Sequence, residues 1–271
     1  MLSRMKNSLI LGMLLLAGTA LADHRIFTYT YEPETEPTGD WELEQYITAR
    51  LTRNHAVGQE DYQKWESRTE VEHGVTDRYT LGLYVNDDFE HFQDPSSGEA
   101  TDVNRFSGIS LENRYNLLNP VENPVGLTLY LEPTWDGQNA ELEQKIILGQ
   151  THGNWKWAVN LTHATEWEGN INDYEGELEL SAGLGYQLTG RWTLALEARD
   201  HNELPMYQQW ENSAVYLGPT LSYHRLKWWA ALTVMPQIYG WNQSGNPDQN
   251  THLELEGHER LNIRLALGYS F

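Results

Sequence analysis

The last thirteen residues, Glu259 to Phe271, alternate in polarity without a break. Glu259, Leu261, Ile263, Leu265, Leu267, Tyr269 and Phe271 fall on one face, and Arg260, Asn262, Arg264, Ala266, Gly268 and Ser270 on the other. A period of two belongs to a β-strand, because successive side chains of a strand point to opposite sides. One face is apolar and ends in aromatics, while the other carries two arginines in mid-strand. The first surface suits lipid and the second a wet interior, the pattern of a strand in a membrane β-barrel.

The N-terminus fits export. Arg4 and Lys6 precede an apolar run from Leu9 to Leu16, and small residues lead to Ala22 and Asp23, so residues 1–22 read as a cleaved signal peptide. The run is shorter than the roughly 20 residues that a spanning helix requires. The mean hydropathy of -0.61 resembles that of a soluble protein. A barrel accounts for it, since only alternate residues meet lipid. The chain has no cysteine, which excludes disulfides, thiolate metal sites and cysteine nucleophiles. Without Arg4 and Lys6 the 18 basic residues become 16 against 39 acidic ones, a formal charge of -23 that opposes nucleic-acid binding.

Residues 23–39 contain Pro33 and Pro37 and read as a periplasmic N-terminal arm, with a position inside the lumen as the alternative. From Asp40 to Phe271 the alternation predicts twelve strands of an antiparallel up-and-down barrel, with ten or fourteen as the nearest alternative counts. The clearest internal strand sets Tyr174, Leu178, Leu180, Leu184 and Tyr186 against Glu175, Glu177 and Glu179. His73 to Asp77 reads as a tight turn, and Asp87–Asn104, 200–212 and 239–258 as long loops. Short and long connections alternate, as in outer-membrane barrels with both termini in the periplasm. Trp41, Tyr79, Trp155, Tyr186, Trp192, Trp228, Tyr269 and Phe271 then fall at the periplasmic ends as an aromatic girdle. A soluble lipocalin-like barrel or a sandwich is the structural alternative.

The inward register collects more acids than bases. Glu42, Glu44, Glu132, Glu143, Glu175, Glu177, Glu179 and Glu197 are the expected lumen-lining acids, with Lys145, Arg199, Arg260 and Arg264 as lumen-lining bases. Two readings follow: a cation-favouring pore, or a cross-strand ion-pair network that fills the barrel. Gly183 and Gly185, below the three glutamates, read as room left in the lumen, and Arg260 or Arg264 as cations able to reach that wall. The expected function is a narrow passive channel for small neutral or cationic solutes. A non-conducting structural or adhesive barrel, and a lateral route for hydrophobic compounds, are the alternatives. The expected partners are outer-membrane lipid, lipopolysaccharide and small-molecule solutes.

Two chemical sites are weighed and set aside. The stretch Asn86 to His91 offers hard oxygen ligands but lacks the spacing of a calcium loop, so no metal and no cofactor is expected. A lipid hydrolase would need a Ser and a His two positions apart on one face. His-x-Ser does not occur, and Ser222 with His224 stands in the reverse order without an evident orienting acid. No catalysis is expected.

The strand ending in Phe271 resembles the terminal strand of bacterial outer-membrane proteins, which implies recognition of Phe271 by the barrel-insertion machinery. Pro37 to Gln45 (PTGDWELEQ), His73 to Tyr79 (HGVTDRY) and Leu83 to Asn86 (LYVN) resemble a family of uncharacterised bacterial outer-membrane barrels. More loosely, the architecture is similar to barrels associated with phenol meta-pathway degradation, proposed as transporters of hydrophobic compounds. These resemblances imply a fold and a location, and supply no catalytic residue.

Overall fold

The computed structural model describes residues 25–53, 61–94, 97–244 and 252–271; the signal peptide expected at 1–22 lies outside them. The strands are β1 (Trp41–Leu51), β2 (Gln63–Thr76), β3 (Tyr79–Gln93), β4 (Ala100–Leu118), β5 (Gly126–Trp135) and β6 (Ala140–His152). They continue as β7 (Trp155–Trp167), β8 (Tyr174–Gln187), β9 (Trp192–Pro205), β10 (Asn212–Arg225), β11 (Trp228–Asn242) and β12 (Leu261–Ser270). Each pairs antiparallel with its sequence neighbours, and β1 closes on β12 with Glu42 opposite Ser270 and Leu51 opposite Leu261. The expected twelve-stranded barrel is therefore the observed one, and no sheet edge is left open.

Sequence alternation becomes the two surfaces of the wall. Leu43, Leu83, Leu129, Leu161, Leu196 and Leu232 are exposed on the outside, while Glu44, Tyr84, Tyr130, Thr162, Glu197 and Thr233 on the same strands are buried inside. A slip of one residue would exchange the faces, so the apolar outer set fixes the register.

The connections at the end that carries both barrel termini are short: 77–78, 119–125, 153–154, 188–191 and 226–227. This is called the turn end, and the opposite one the loop end. Trp41, Trp155, Tyr186, Trp192, Trp228, Tyr269 and Phe271 are exposed around the turn end, with Tyr79 half-buried. Trp65, Phe106, Trp135, Tyr239 and Trp241 form a second girdle near the loop end, which the sequence reading missed. From Trp228 to Tyr239, at about 3.4 Å per residue and a tilt of about 40°, the wall spans roughly 28 Å, close to the ~25 Å apolar band of outer-membrane barrels.

Several boundaries differ from the sequence reading. Residues 73–76 continue β2, and the turn is 77–78 alone. The expected loop from Asp87 to Asn104 is mostly the paired upper half of β3 and β4, and residues 200–205 and 239–242 likewise extend β9 and β11. Above the apolar band both faces of a strand meet water, so hydropathy stops alternating although pairing continues. Glu259, assigned by alternation to the outer face, is buried inside; β12 begins only at Leu261, and residues 252–260 fold inward before it.

The largest departure is the N-terminal segment. Instead of a periplasmic arm, residues 25–33 run through the lumen, the alternative position. Phe27 is 1% exposed and Tyr29, Tyr31 and Ile26 are buried. Ile26 and Phe27 pack on Ala158 and Ala195, Tyr29 on Ala214, Tyr216 and Met235, and Tyr31 on Tyr130 and Ile147, so one segment touches three sectors of the wall. Burying these aromatics gives the segment more stabilisation inside than a solvated arm would retain. At its exit the Thr38 amide and hydroxyl donate to Asp77, which holds that carboxyl below the ordinary range.

Candidate functional site

Residues 25–33 form no sheet ladder with the wall, so lumen side chains satisfy their backbone. Glu197, on β9, accepts the amides of Thr28, Tyr29 and Thr30 at 2.9 Å each. The hydroxyls of Thr220 and Thr233 reach the same carboxylate at 2.7 and 2.9 Å. Asn160 takes the Tyr31 amide at 2.6 Å and donates to the Tyr31 carbonyl at 2.9 Å. Asn116 and Thr128 both donate to the Pro33 carbonyl, and Thr80 accepts the Glu36 amide at 2.8 Å. Consecutive amides turned on one carboxylate make an anion nest in reverse: the wall supplies the anion and the segment the nest.

Inward glycines make room for this path. A Cβ on Gly183 would stand 2.6 Å from the Phe27 ring and one on Gly185 2.7 Å from Ile26. At Gly126 and Gly149 it would stand 2.7 and 2.8 Å from Pro33, and at Gly74 2.0 Å from the Pro37 carbonyl. The space expected at Gly183 and Gly185 is therefore occupied by the chain itself.

The segment separates two cavities. One, about 510 Å³, opens at the loop end and is floored by Thr28, Tyr29 and Tyr31; the other, about 490 Å³, lies at the turn end against Ile26, Glu34 and Thr35.

The expected lumen residues divide accordingly. Glu132, Glu143, Lys145, Glu177, Glu179, Arg199 and Arg264 line the loop-end cavity. Glu42 and Glu44 lie buried toward the turn end: Glu42 accepts from Trp229 and from Ser270 at 2.9 Å, and Glu44 accepts from Tyr46 beside Arg25. Glu197 faces inward but is taken up by the amides of residues 28–30. Glu175, half-buried, is grouped with Glu203 and Glu211, and Arg260, also half-buried, precedes β12. Among the described residues Arg264 does not pair with the glutamates of β8. Glu179 pairs instead with Arg199 on the adjacent strand at 2.5 Å, and Arg264 donates to Thr48 at 2.8 Å and stacks on Tyr29 with 4.0 Å to the ring centroid. Neighbouring strands bring Glu179 and Arg199 within side-chain reach, which a partner across the lumen cannot match.

Many remaining charges are paired: Glu132 with Arg68 at 2.6 Å, Glu143 with Lys145 at 2.7 Å, and Glu66 with Arg50 at 2.9 Å. The pairing is uneven around the cavity. Arg50, Arg53, Lys64, Arg68 and Arg264 gather on the side of β1, β2 and β12, and Glu141, Glu166, Glu177 and Glu203 on the side of β6 to β9. A solute in the cavity thus meets a transverse field.

In the 86–91 stretch Asp88 pairs with Lys64, Glu90 with Arg105 and His91 with Asp102. Ser222 is buried on the inner wall with its hydroxyl unbonded, so it makes no nucleophile–base pair with His224. Among the described residues, three groups bring potential metal-ligand atoms within 4.8 Å: Glu44, Glu70 and Glu72; Glu175, Glu203 and Glu211; and His201, Glu203 and His258.

The chain belongs to a protein family of unknown function (DUF6662), whose model matches residues 19–148 and 143–271. Among curated proteins none matches it in sequence. Its fold is similar to an outer membrane channel from Pseudomonas putida F1, at 13% identity and a TM-score of 0.63 over 90% of this chain and 100% of that one. It is also similar to the NanC porin, at 10% identity and a TM-score of 0.53 over 84% of this chain and 98% of the porin. The KdgM porin matches at 10% identity and a TM-score of 0.50 over 85% and 99%.

Proposed function

Taking membership of that family and the barrel as premises, we propose that the chain is an outer-membrane channel for small polar solutes, neutral or cationic, which its own N-terminal segment closes at rest. The observation that carries this reading is the segment 25–33 lying between two cavities of about 510 and 490 Å³. A barrel with only a structural role has no use for a cavity at each mouth and a separately bonded strap between them. Two aromatic girdles and short turns at one end support the outer membrane, with the turn end periplasmic. The preference for neutral or cationic solutes rests on Glu141, Glu166 and Glu177, which no Lys or Arg partners by a salt bridge among the described residues.

The test is conductance in planar bilayers for the mature chain and for a chain lacking residues 23–37. Deletion is expected to raise unitary conductance several-fold and to give a cation-selective reversal potential under a salt gradient. A silent deletion variant that still migrates as a folded barrel would favour a non-conducting structural role, and anion selectivity would remove the assigned solute class.

A further inference from the structure

We infer that His201, Glu203 and His258 bind one divalent transition-metal ion of the Zn²⁺ class at the loop end of the lumen. His201 and Glu203 lie two positions apart on the inward face of β9, and His258 comes from the 252–260 segment that folds over the lumen. One ligand atom from each lies within 4.8 Å of the others. His258 Nε2 is 3.8 Å from Glu203 Oε1, and the two imidazole centroids are 5.1 Å apart with their planes at 83°. Two imidazoles and a carboxylate are a zinc donor set, with bonds of about 2.0–2.2 Å. Ligand atoms around such an ion stand about 3.4 Å apart, so side-chain movements of about 1 Å complete the site.

The third ligand is held in place before any ion arrives. The Glu254 carboxylate accepts the amides of Glu256, Gly257 and His258 at 3.0, 3.2 and 3.0 Å. Gln237 fixes Glu254 in turn, donating to its carbonyl at 2.7 Å and accepting its amide at 2.6 Å. Asn212 sits between two of the ligands, accepting from His258 Nε2 at 2.9 Å while donating to Glu203 at 2.5 Å, and the first of these bonds is exchanged for the ion when Nε2 gives up its proton and binds it. Outer partners of this kind set ligand direction in metal sites. Glu177, 3.8 Å from His201 Nε2, is placed to complete the coordination. His201, Glu203 and His258 line the 510 Å³ cavity, which gives an ion a way in. A bound ion would tie the 252–260 segment to β9 and narrow that mouth.

Binding is measurable without conductance, so the inference stands apart from the channel reading. The mature chain, folded in detergent, is titrated with Zn²⁺ by calorimetry and with Co²⁺ by electronic absorption at neutral pH. One ion per chain is expected, with ligand-field bands for Co²⁺. His201→Ala and His258→Gln should weaken binding by at least ~10-fold, and His91→Ala, outside the site, should leave it unchanged. Heat-modifiable migration reports whether each variant is folded, and Glu203→Gln replaces any that is not. No saturable uptake by the full chain, or equal affinity in all the site variants, would overturn the assignment and leave Asn212, His258 and Glu203 as a purely structural network.

Discussion

At the residue scale Glu197 decides where the N-terminal segment lies. No Lys or Arg forms a salt bridge with it among the described residues; it is met by the amides of Thr28, Tyr29 and Thr30 and by the hydroxyls of Thr220 and Thr233. Replacing it with Ala leaves those three amides buried and unpaired, at about 1–3 kcal/mol each. Glu197→Ala is therefore expected to lower hydrogen-exchange protection of Thr28 to Thr30 by ~30-fold or more, with the barrel strands unaffected. Unchanged protection would mean that the apolar contacts alone dock the segment. Alternation placed Glu197 inside, but its partners on the segment are backbone amides of residues 28–30, which no side-chain pattern announces. Asn116, Asn160 and Thr233 escaped for the same reason: a neutral inward residue of a barrel strand reads as lumen lining until something is there to bind it.

The element scale explains both what was legible and what was hidden. Each strand crosses one apolar band, and within it the period of two is strict, which is why the twelve strands and their faces were readable. Outside the band the upper parts of β3 and β4 are polar on both sides, and the signal stops while the pairing of Asp88 with Arg105 and Glu90 with Val103 goes on. The plug carried a signal of its own. Phe27 to Tyr31 holds three aromatics and two threonines without a charge, too apolar for a solvated arm, and inward glycines recur at Gly126, Gly149, Gly183 and Gly185. Together these trace a track for a segment inside the barrel. Gly183→Val would place a side chain against the Phe27 ring and displace the segment without touching the outer wall. Conductance is expected to rise toward that of the chain lacking residues 23–37, with heat-modifiable migration retained. Wild-type conductance in a folded Gly183→Val barrel would mean that the track does not set the position of the plug.

For the whole molecule, closure of the sheet and closure of the pore are separate matters. The barrel is complete without the segment, since β1 pairs with β12 and no strand depends on residues 25–37 for a neighbour. The proposed gate requires the segment to move while the wall stays folded, and the topology does not oppose it. Its position can be locked by a designed bond. Thr28 Oγ1 and Thr233 Oγ1 are 2.7 Å apart, one on the plug and one on β11, and the chain has no cysteine to interfere. Cysteines at both positions bring two sulfurs within disulfide range. The decisive measurement is the single-channel conductance of the Thr28→Cys, Thr233→Cys chain before and after reduction. A gate made of residues 25–37 gives an oxidised barrel locked silent and, on adding reductant, the intermittent openings that a free segment allows; equal conductance in the two states, open or silent, would contradict it.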